Sequence, residues 1–170
     1  MSLQTFCVNS IRIKLVIKTM VNPFDFRPYV DADQEAVLAV FRANTPAYFS
    51  PEEESGLVYF LNHKIEEYYV MLVDHEIIGS GGINFEDDKT TGIISWGMIH
   101  PDFQGKYLGS ALLKFRIGQL QKNDTVQRLL LRTSQHVYKF YEKQGFQLNR
   151  VVKDYWVPGI DLYEMEHRVL

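Results

Sequence analysis

The sequence predicts a protein of the α/β class, in which helices cover a sheet that begins mostly antiparallel. Short stretches that are apolar throughout or at alternate positions are typical of strands, and stretches with apolar residues three or four positions apart are typical of helices. Along the chain they follow the order β-α-α-β-β-β-α-β-α-β-β. The 170 residues are 46% hydrophobic and 23% charged, which is typical of one soluble globular domain.

The first half of the chain supplies two helices and most of the antiparallel strands. One helix begins near Asp31, and another begins at Ser50, where Pro51 suits the first helical position and Glu53 completes a capping box. Strands are predicted at 24–30, 68–73, 76–85 and 91–99. A bulge or a close approach of backbones is expected in the third of these strands, which contains Gly79, Gly81 and Gly82.

The second half begins with the longest predicted helix, from Leu108 to Gln121, whose two apolar stripes indicate packing from more than one direction. A strand from Arg128 to Arg132 follows it. A shorter helix is then predicted from Ser134 to Gln144, where Gly145 ends it. The last two strands are predicted at 147–156 and 161–169.

Residues 1–20 are expected to form an N-terminal extension ahead of a single domain of residues 21–170. Apolar residues alternate with mostly basic ones from Ile11 to Lys18, which fits an exposed edge strand. A poorly ordered extension fits equally well. Neither interpretation of the extension indicates a function.

The composition excludes several classes of function. The net charge of −3 provides no basic face for nucleic acid. Cys7 is the single cysteine, so an internal disulfide and a cysteine-based zinc site are excluded, and a reducing cytoplasm is the expected compartment. No apolar run approaches the roughly 18 residues that cross a membrane. We therefore expect a cytoplasmic protein without a metal, a nucleic-acid partner or a membrane partner.

The strongest chemical signal is a glycine-containing loop between a buried strand and the longest helix. Gly105 and Gly109 let the backbone turn tightly and approach a ligand, and Lys106 adds a positive charge. The N–H groups and the positive dipole end at the start of the helix favour a phosphate or pyrophosphate. The loop has neither the Walker A ending nor a dinucleotide fingerprint. On glycine spacing alone, a turn that binds nothing is an equally good interpretation.

Two motifs resemble those of the GNAT superfamily of N-acetyltransferases. Residues 100–113 are similar to motif A, whose core is Gln/Arg-x-x-Gly-x-Gly/Ala: Gln104 and Gly109 agree, and Tyr107 stands where the family has its first glycine. Residues 134–146 resemble motif B, with Phe-Tyr, Lys and Gly-Phe in their places. The resemblance implies a mixed, mostly antiparallel sheet of six to seven strands, about four flanking helices and a splayed pair of parallel strands.

The resemblance also implies that acetyl-CoA is the cosubstrate and lies between the splayed strands. Backbone groups of Met98 and Ile99 would then face the pantetheine arm. Ser134, at the start of motif B, is a further implied cofactor-binding residue. The residues implied around the pyrophosphate are Gln104, Gly105, Lys106, Tyr107, Gly109 and Ser110.

Tyr141 matches the family tyrosine that points at the thioester sulfur, which implies that it is the general acid. A phenol stays protonated at neutral pH and can donate to a thiolate. The alternative is a core role, because Tyr141 shares a helical face with Val137 and Phe140. Many relatives carry a glutamate base where this chain has Ser95. The sequence does not identify the general base: Glu86, Asp87 and His100 are candidates. A chain of ordered water, or an amine that arrives already neutral, is equally consistent with the sequence.

The acceptor site is expected between the first two helices and the last hairpin. Glu52–Glu54 could attract a cationic amine, although carboxylates in a first helical turn are stabilised by the dipole anyway. The aromatic turn Tyr155–Gly159 could border the pocket or pack on the sheet.

The implied function is direct transfer of an acetyl group from acetyl-CoA to a primary amine of a small molecule or peptide, in a protein that could be a homodimer. A CoA-binding sensor or interaction module without catalysis is the main alternative. A generic phosphate-binding domain is a third interpretation.

Overall fold

The computed structural model describes residues 24–168, which form a seven-stranded sheet in the order β1-β2-β3-β4-β5-β7-β6. Only the pairing of β4 with β5 is parallel. The strands are β1 (Asp25–Pro28), β2 (Glu67–Val73), β3 (Glu76–Phe85), β4 (Thr91–Ile99), β5 (Arg128–Thr133), β6 (Gln147–Val157) and β7 (Ile160–Arg168). The helices are α1 (Gln34–Ala43), α2 (Glu54–His63), α3 (Leu108–Leu120) and α4 (Tyr138–Glu142).

The predicted fold class and element order are confirmed, and the differences concern the ends of elements. Both early helices begin with a 3-10 turn, and Glu53 accepts the Ser50 N–H at 2.8 Å as the capping box requires. The predicted strand at Ile11–Lys18, Cys7 and the end of the last strand at Val169 lie outside the described residues.

The predicted start of the last helix at Ser134 is wrong. The α-helix begins at Tyr138 because Gln135 is tied to the final hairpin. The Gln135 Nε2 donates to the Gly159 carbonyl at 2.7 Å, and its Oε1 accepts from the Asp161 N–H at 2.9 Å. These bonds hold residues 134–137 in turns that are not yet helical.

Helices cover both faces of the sheet. Val70 of β2 packs with α1 and α2, whereas the next residue, Met71, packs with α3. Successive strand residues point to opposite faces, so α3 lies across the sheet from the first two helices. The two apolar stripes of α3 also enter different clusters, one through Leu112 and the other through Leu113.

A bulge in β4 bends this strand in the middle of the sheet. Gly82 of β3 pairs with Ser95 and Ser80 pairs with Met98, so β4 carries one extra residue there. Trp96, inside the bulge, has a φ of 44°. Parallel pairing with β5 ends at Ile94, just before the bulge. Because bulges bend the strand that contains them, the second half of β4 leaves β5 and a cleft opens between them.

Candidate active site

The cleft has backbone walls. One wall is β4 from Ser95 to Ile99, and the other is the end of β5, Arg132 and Thr133, with the following Ser134; the two walls are not paired with each other. Unpaired strand edges offer N–H and C=O groups to an extended ligand. The predicted residues Met98, Ile99 and Ser134 are all placed along these walls, and all three are largely buried.

The N-terminus of α3 stands beside the cleft at the end of β4. The N–H groups of the first helical turn have no partners within the helix, and no acidic residue lies in that turn. At Gly105, with φ of 72°, no heavy atom outside this glycine and its two chain neighbours lies within 4 Å of the position a Cβ would take. The loop therefore presents open backbone and an uncompensated positive dipole end, which suits a pyrophosphate.

Tyr107 occupies the position immediately before α3 in a left-handed conformation, with φ of 62° and ψ of 3°. This conformation favours glycine, the residue that the resemblance to motif A leads one to expect at this position. The side chain is 87% exposed and contributes little to packing. Tyr107 thus adopts a backbone conformation that glycine would adopt without strain.

We expect Tyr107→Gly to raise the free energy of unfolding by about 0.5 kcal/mol, because relief of roughly 1–2 kcal/mol of left-handed strain exceeds the entropy cost of glycine. Chemical denaturation measures this change. Tyr107→Ala, which removes the ring but keeps a Cβ, should give no gain, and an equal gain from both variants would exclude strain as the cause. Affinity for acetyl-CoA should not change, because the donors are backbone groups.

Two side chains that the sequence predicts around the pyrophosphate form hydrogen bonds within the protein. The Gln104 Nε2 donates to Asn44 Oδ1 at 2.8 Å and to the Ile99 carbonyl at 2.9 Å. The Lys106 ammonium donates to the Asp102 carbonyl at 2.9 Å. Gln104 therefore shapes the loop, and Lys106 lies over it.

Asn44, at the end of α1, anchors this loop and was not found by sequence reasoning. It is 2% exposed, and its Nδ2 donates to the Val40 carbonyl at 2.8 Å and the Ile99 carbonyl at 3.1 Å. The contact with Gln104 spans 60 positions of the chain. An asparagine at a helix end carries no signal of such a partner.

We expect Asn44→Ala to lower the free energy of unfolding by about 2 kcal/mol, because it leaves buried polar groups without partners. It should also weaken acetyl-CoA binding, because the loop loses its anchor. The matched control is the neighbouring Thr45→Ala, which removes a bond to the Phe41 carbonyl and none to the loop. Titration of both variants with acetyl-CoA checks the distinction: equal affinity in the two would refute the anchoring role.

Tyr141 lies where the cleft begins. It is 9% exposed and packs in one apolar cluster with Ile94 and Leu131, the last paired residues of β4 and β5. Its ring meets Phe146 edge-on, with centroids 5.8 Å apart. The ring is thus part of the core.

The sequence of motifs and the fold agree with a known family. The model of the acetyltransferase (GNAT) family matches residues 37–146. The chain belongs to this family. No match to the sequence was found among curated proteins.

Several solved acetyltransferase structures share this fold at low sequence identity. They include the ribosomal-protein-S18-alanine N-acetyltransferase of Escherichia coli (17% identity, TM-score 0.71, covering 86% of this chain and 94% of that one). A GNAT family acetyltransferase from Elizabethkingia anophelis, solved with acetyl-CoA bound, has 19% identity and a TM-score of 0.67 over 87% of this chain and 99% of that one. An N-acetyltransferase from Staphylococcus aureus has 17% identity and a TM-score of 0.66 over 85% and 98%.

The base candidates Glu86, Asp87 and His100 occupy different places from one another and from Ser95, which stands where many relatives carry a glutamate base. The Ser95 hydroxyl donates to Asn84 Oδ1 at 3.0 Å. Glu86 lies 3.5 Å from an Arg128 nitrogen, and it borders a surface depression with Asp87 beyond the end of β3. His100 accepts the Asp102 N–H through Nδ1 at 3.3 Å. Of these, only Ser95 lies at the bulge.

An open pocket of about 520 Å³ adjoins the bulge through Ser95 and Trp96. It lies between the end of α2 and strands β3 and β4. Its other lining residues are Phe60, His63, Lys64, Ile65, Glu66, Asn84, Phe85 and Ile93. Sequence reasoning missed His63 and Glu66, which flank the end of α2 with no motif around them.

The acceptor candidates from the sequence have structural partners. The Glu54 carboxylate bonds to Arg42, which lowers the pKa of Glu54, and Glu53 caps its helix. In the aromatic turn, Trp156 Nε1 lies 3.5 Å from the Thr133 carbonyl at the end of β5, and Tyr155 is 47% exposed. The turn therefore contacts the second wall of the cleft.

No helix within residues 24–168 is long and apolar enough to cross a membrane.

Proposed function

We propose that the protein transfers an acetyl group from acetyl-CoA directly to a primary amine. Three features support this proposal: the β4–β5 cleft, the start of α3 without an acidic residue, and the packing of the Tyr141 ring against Ile94 and Leu131, where the cleft begins. Family membership and the neighbour with acetyl-CoA bound support the choice of cosubstrate.

Each part of the cleft has a separate task in this proposal. The N–H groups of residues 108–110 bind the pyrophosphate, and the unpaired edge of β4 at Met98 and Ile99 binds the pantetheine arm. The Ile99 carbonyl already accepts two side-chain amides, so this residue offers its N–H. Tyr141 donates a proton to the departing thiolate, and the aligned backbone positions the thioester.

The acceptor enters through the pocket beside Ser95 and Trp96. Phe60, Phe85 and Ile93 give this pocket an apolar lining, whereas His63 and Glu66 are exposed polar groups. An amine with an adjoining apolar segment suits this distribution. Glu66 already bonds to Lys89 at 2.9 Å, which leaves His63 as the lining group free to take up a proton from the amine.

A thiol-release assay with acetyl-CoA and a panel of primary amines tests the proposal. Turnover with at least one apolar amine is expected, and His63→Ala should reduce it. If acetyl-CoA binds but no amine is acetylated, the protein is a binding module, an alternative favoured by Ser95 in place of a glutamate base.

Thermal unfolding tests the choice of cosubstrate separately. Acetyl-CoA at a hundred times its Kd adds about 2.7 kcal/mol of stability, a shift on the order of 5–10 °C for a domain of this size. At the same concentration, ADP should give a smaller shift in unfolding temperature, because it lacks the pantetheine arm that the β4 edge binds in this proposal. Equal shifts would indicate a general phosphate-binding site and contradict the proposal.

A further inference from the structure

The bulge of β4 needs hydrogen-bond donors from outside the regular strand pairing. Two of its residues, Trp96 and Gly97, oppose the single residue Gly81 of β3. The extra residue of a bulge disrupts the hydrogen bonds between the strands locally. A buried carbonyl that is left without a partner destabilises the fold, so side chains are expected to bond to the backbone of the bulge.

Two buried side chains supply such donors. The Arg116 Nη1 donates to the Ser95 carbonyl at 3.2 Å, and the Tyr68 hydroxyl donates to the Trp96 carbonyl at 3.3 Å. Arg116 is 2% exposed and Tyr68 is 3% exposed. Arg116 reaches the bulge from α3, whereas Tyr68 lies in the cluster that contains α1 and α2. Two successive carbonyls at the bulge are thus held from opposite faces of the sheet.

Glycines make room for both side chains. A Cβ built on Gly81 would lie 2.6 Å from Arg116 Nη1, and one built on Gly97 would lie 2.6 Å from Nη2. On the other face of β3, a Cβ built on Gly82 would lie 2.9 Å from a ring carbon of Tyr68. Real Cβ atoms essentially never come within 3.0 Å of another heavy atom. The two donors therefore explain two of the three glycines that the sequence shows in β3.

Arg116 is a buried cation without a carboxylate partner. No ion pair among residues 24–168 includes it, and burial of an unpaired charge is costly. Its Nε also lies 3.4 Å from the Leu112 carbonyl, a long contact within its own helix. An apolar side chain of similar length would fill the same space without this cost. The bond to the Ser95 carbonyl is therefore the contact that distinguishes arginine from an apolar residue here.

We propose that Arg116 and Tyr68 are positioning residues that hold the β4 bulge and thereby keep the β4–β5 cleft open for the pantetheine arm. This inference rests on the proposed acetyl transfer. Parallel pairing of β4 with β5 stops at Ile94, immediately before the bulge. When a donor is lost, the bulge relaxes toward regular pairing and the cleft that begins there narrows. The backbone of Met98 and Ile99 then loses the placement that the pantetheine arm requires.

Direct binding of acetyl-CoA and ADP tests this role, because only acetyl-CoA has a pantetheine arm. Arg116→Met should raise the Kd for acetyl-CoA about tenfold, since it removes a hydrogen bond from a charged group, and should leave the Kd for ADP within about twofold. Tyr68→Phe removes a neutral donor and should raise the Kd for acetyl-CoA about fivefold. A general loss of stability would not change the ratio of the two Kd values, so an unchanged ratio in both variants would overturn the proposal.

The double variant tests whether the two residues act on one bulge. If either loss releases the same backbone, Tyr68→Phe should raise the Kd for acetyl-CoA less than twofold further in the Arg116→Met background. Effects that multiply in full would show that the residues act separately, and would contradict their joint role.

Each substitution has a matched control. Lys114→Met removes an exposed positive charge from the same helix as Arg116. Tyr69→Phe removes the hydroxyl next along β2 from Tyr68, which donates to Glu67 at 2.6 Å. Both controls should keep the two Kd values within about twofold of the wild type. A tenfold loss of acetyl-CoA affinity in either would contradict an effect that passes through the bulge.

Tyr68→Phe keeps the ring in its apolar cluster, so this variant decides the matter if Arg116→Met does not fold. Equal Kd values of the wild type for acetyl-CoA and ADP would refute the choice of cosubstrate, and the proposed function with it. A wild type that prefers acetyl-CoA, together with variants that keep this preference, would refute the role of Arg116 and Tyr68 alone.

Discussion

Tyr141→Phe is expected to lower kcat for amine acetylation about 100-fold or more, the range in which a general acid contributes. The substitution removes only the hydroxyl oxygen, so the ring should keep its contacts with Phe146 and the surrounding cluster. Acetyl-CoA affinity should therefore stay within about twofold. Steady-state kinetics and a direct binding titration measure the two quantities.

The matched control for this prediction is Tyr138→Phe. Tyr138 lies one turn earlier in the same helix and stacks on Tyr163 with centroids 4.5 Å apart. Loss of its hydroxyl should leave kcat unchanged, because stacking does not require it. If Tyr141→Phe also retains full turnover, the residue is a core aromatic and some other group protonates the thiolate.

The order of elements was predictable because local periodicity reports which face of an element is buried. The ends of the elements were less predictable where a side chain of the terminal turn bonds to a distant segment and prevents the helix from starting. Gln135 is the clear case: its bonds to Gly159 and Asp161 delay α4 by one turn. Nothing within residues 134–138 encodes these partners.

In the candidate site, too, local features were predictable from the sequence and long-range contacts were not. The loop before α3 could be found from its glycines and motif, because a helix N-terminus binds anions through local backbone. In the sequence, Tyr107 is visible only as a departure from the glycine of motif A. The structure shows that the residue has a left-handed backbone conformation, which favours glycine. The hydrogen bonds of Gln104 and Lys106 to the Ile99 and Asp102 carbonyls were not predictable from the motif, because they depend on how the loop folds.

Arg116 shows what helical periodicity cannot reveal. A charged residue on a helix is normally assigned to the solvent face, and only the placement of Gly81 and Gly97 on two other elements allows this one to be buried. The bulge at Trp96 could not be predicted from local periodicity either, because it depends on the register between β3 and β4. Long-range register and packing therefore define this end of the cleft.

Ser110→Glu is expected to raise the Kd for acetyl-CoA about 100-fold. Ser110 is the third residue of α3, where a carboxylate would face the bound pyrophosphate. Two charges 4 Å apart near a protein surface interact by about 4 kcal/mol. Screening by salt reduces this to an effect of about 2.7 kcal/mol, or two powers of ten in Kd.

The same substitution should have the opposite effect on the free protein. A negative charge in the first helical turn stabilises the helix by about 0.5 kcal/mol, so the thermal unfolding temperature without ligand should rise slightly. Ser110→Gln separates charge from bulk: it should raise the Kd less than tenfold, and equal losses from both variants would indicate steric exclusion. The loss caused by Ser110→Glu should also shrink in high salt. In a chain of net charge −3, this combination would indicate that the acid-free turn of α3, and not overall charge, attracts the anionic cosubstrate.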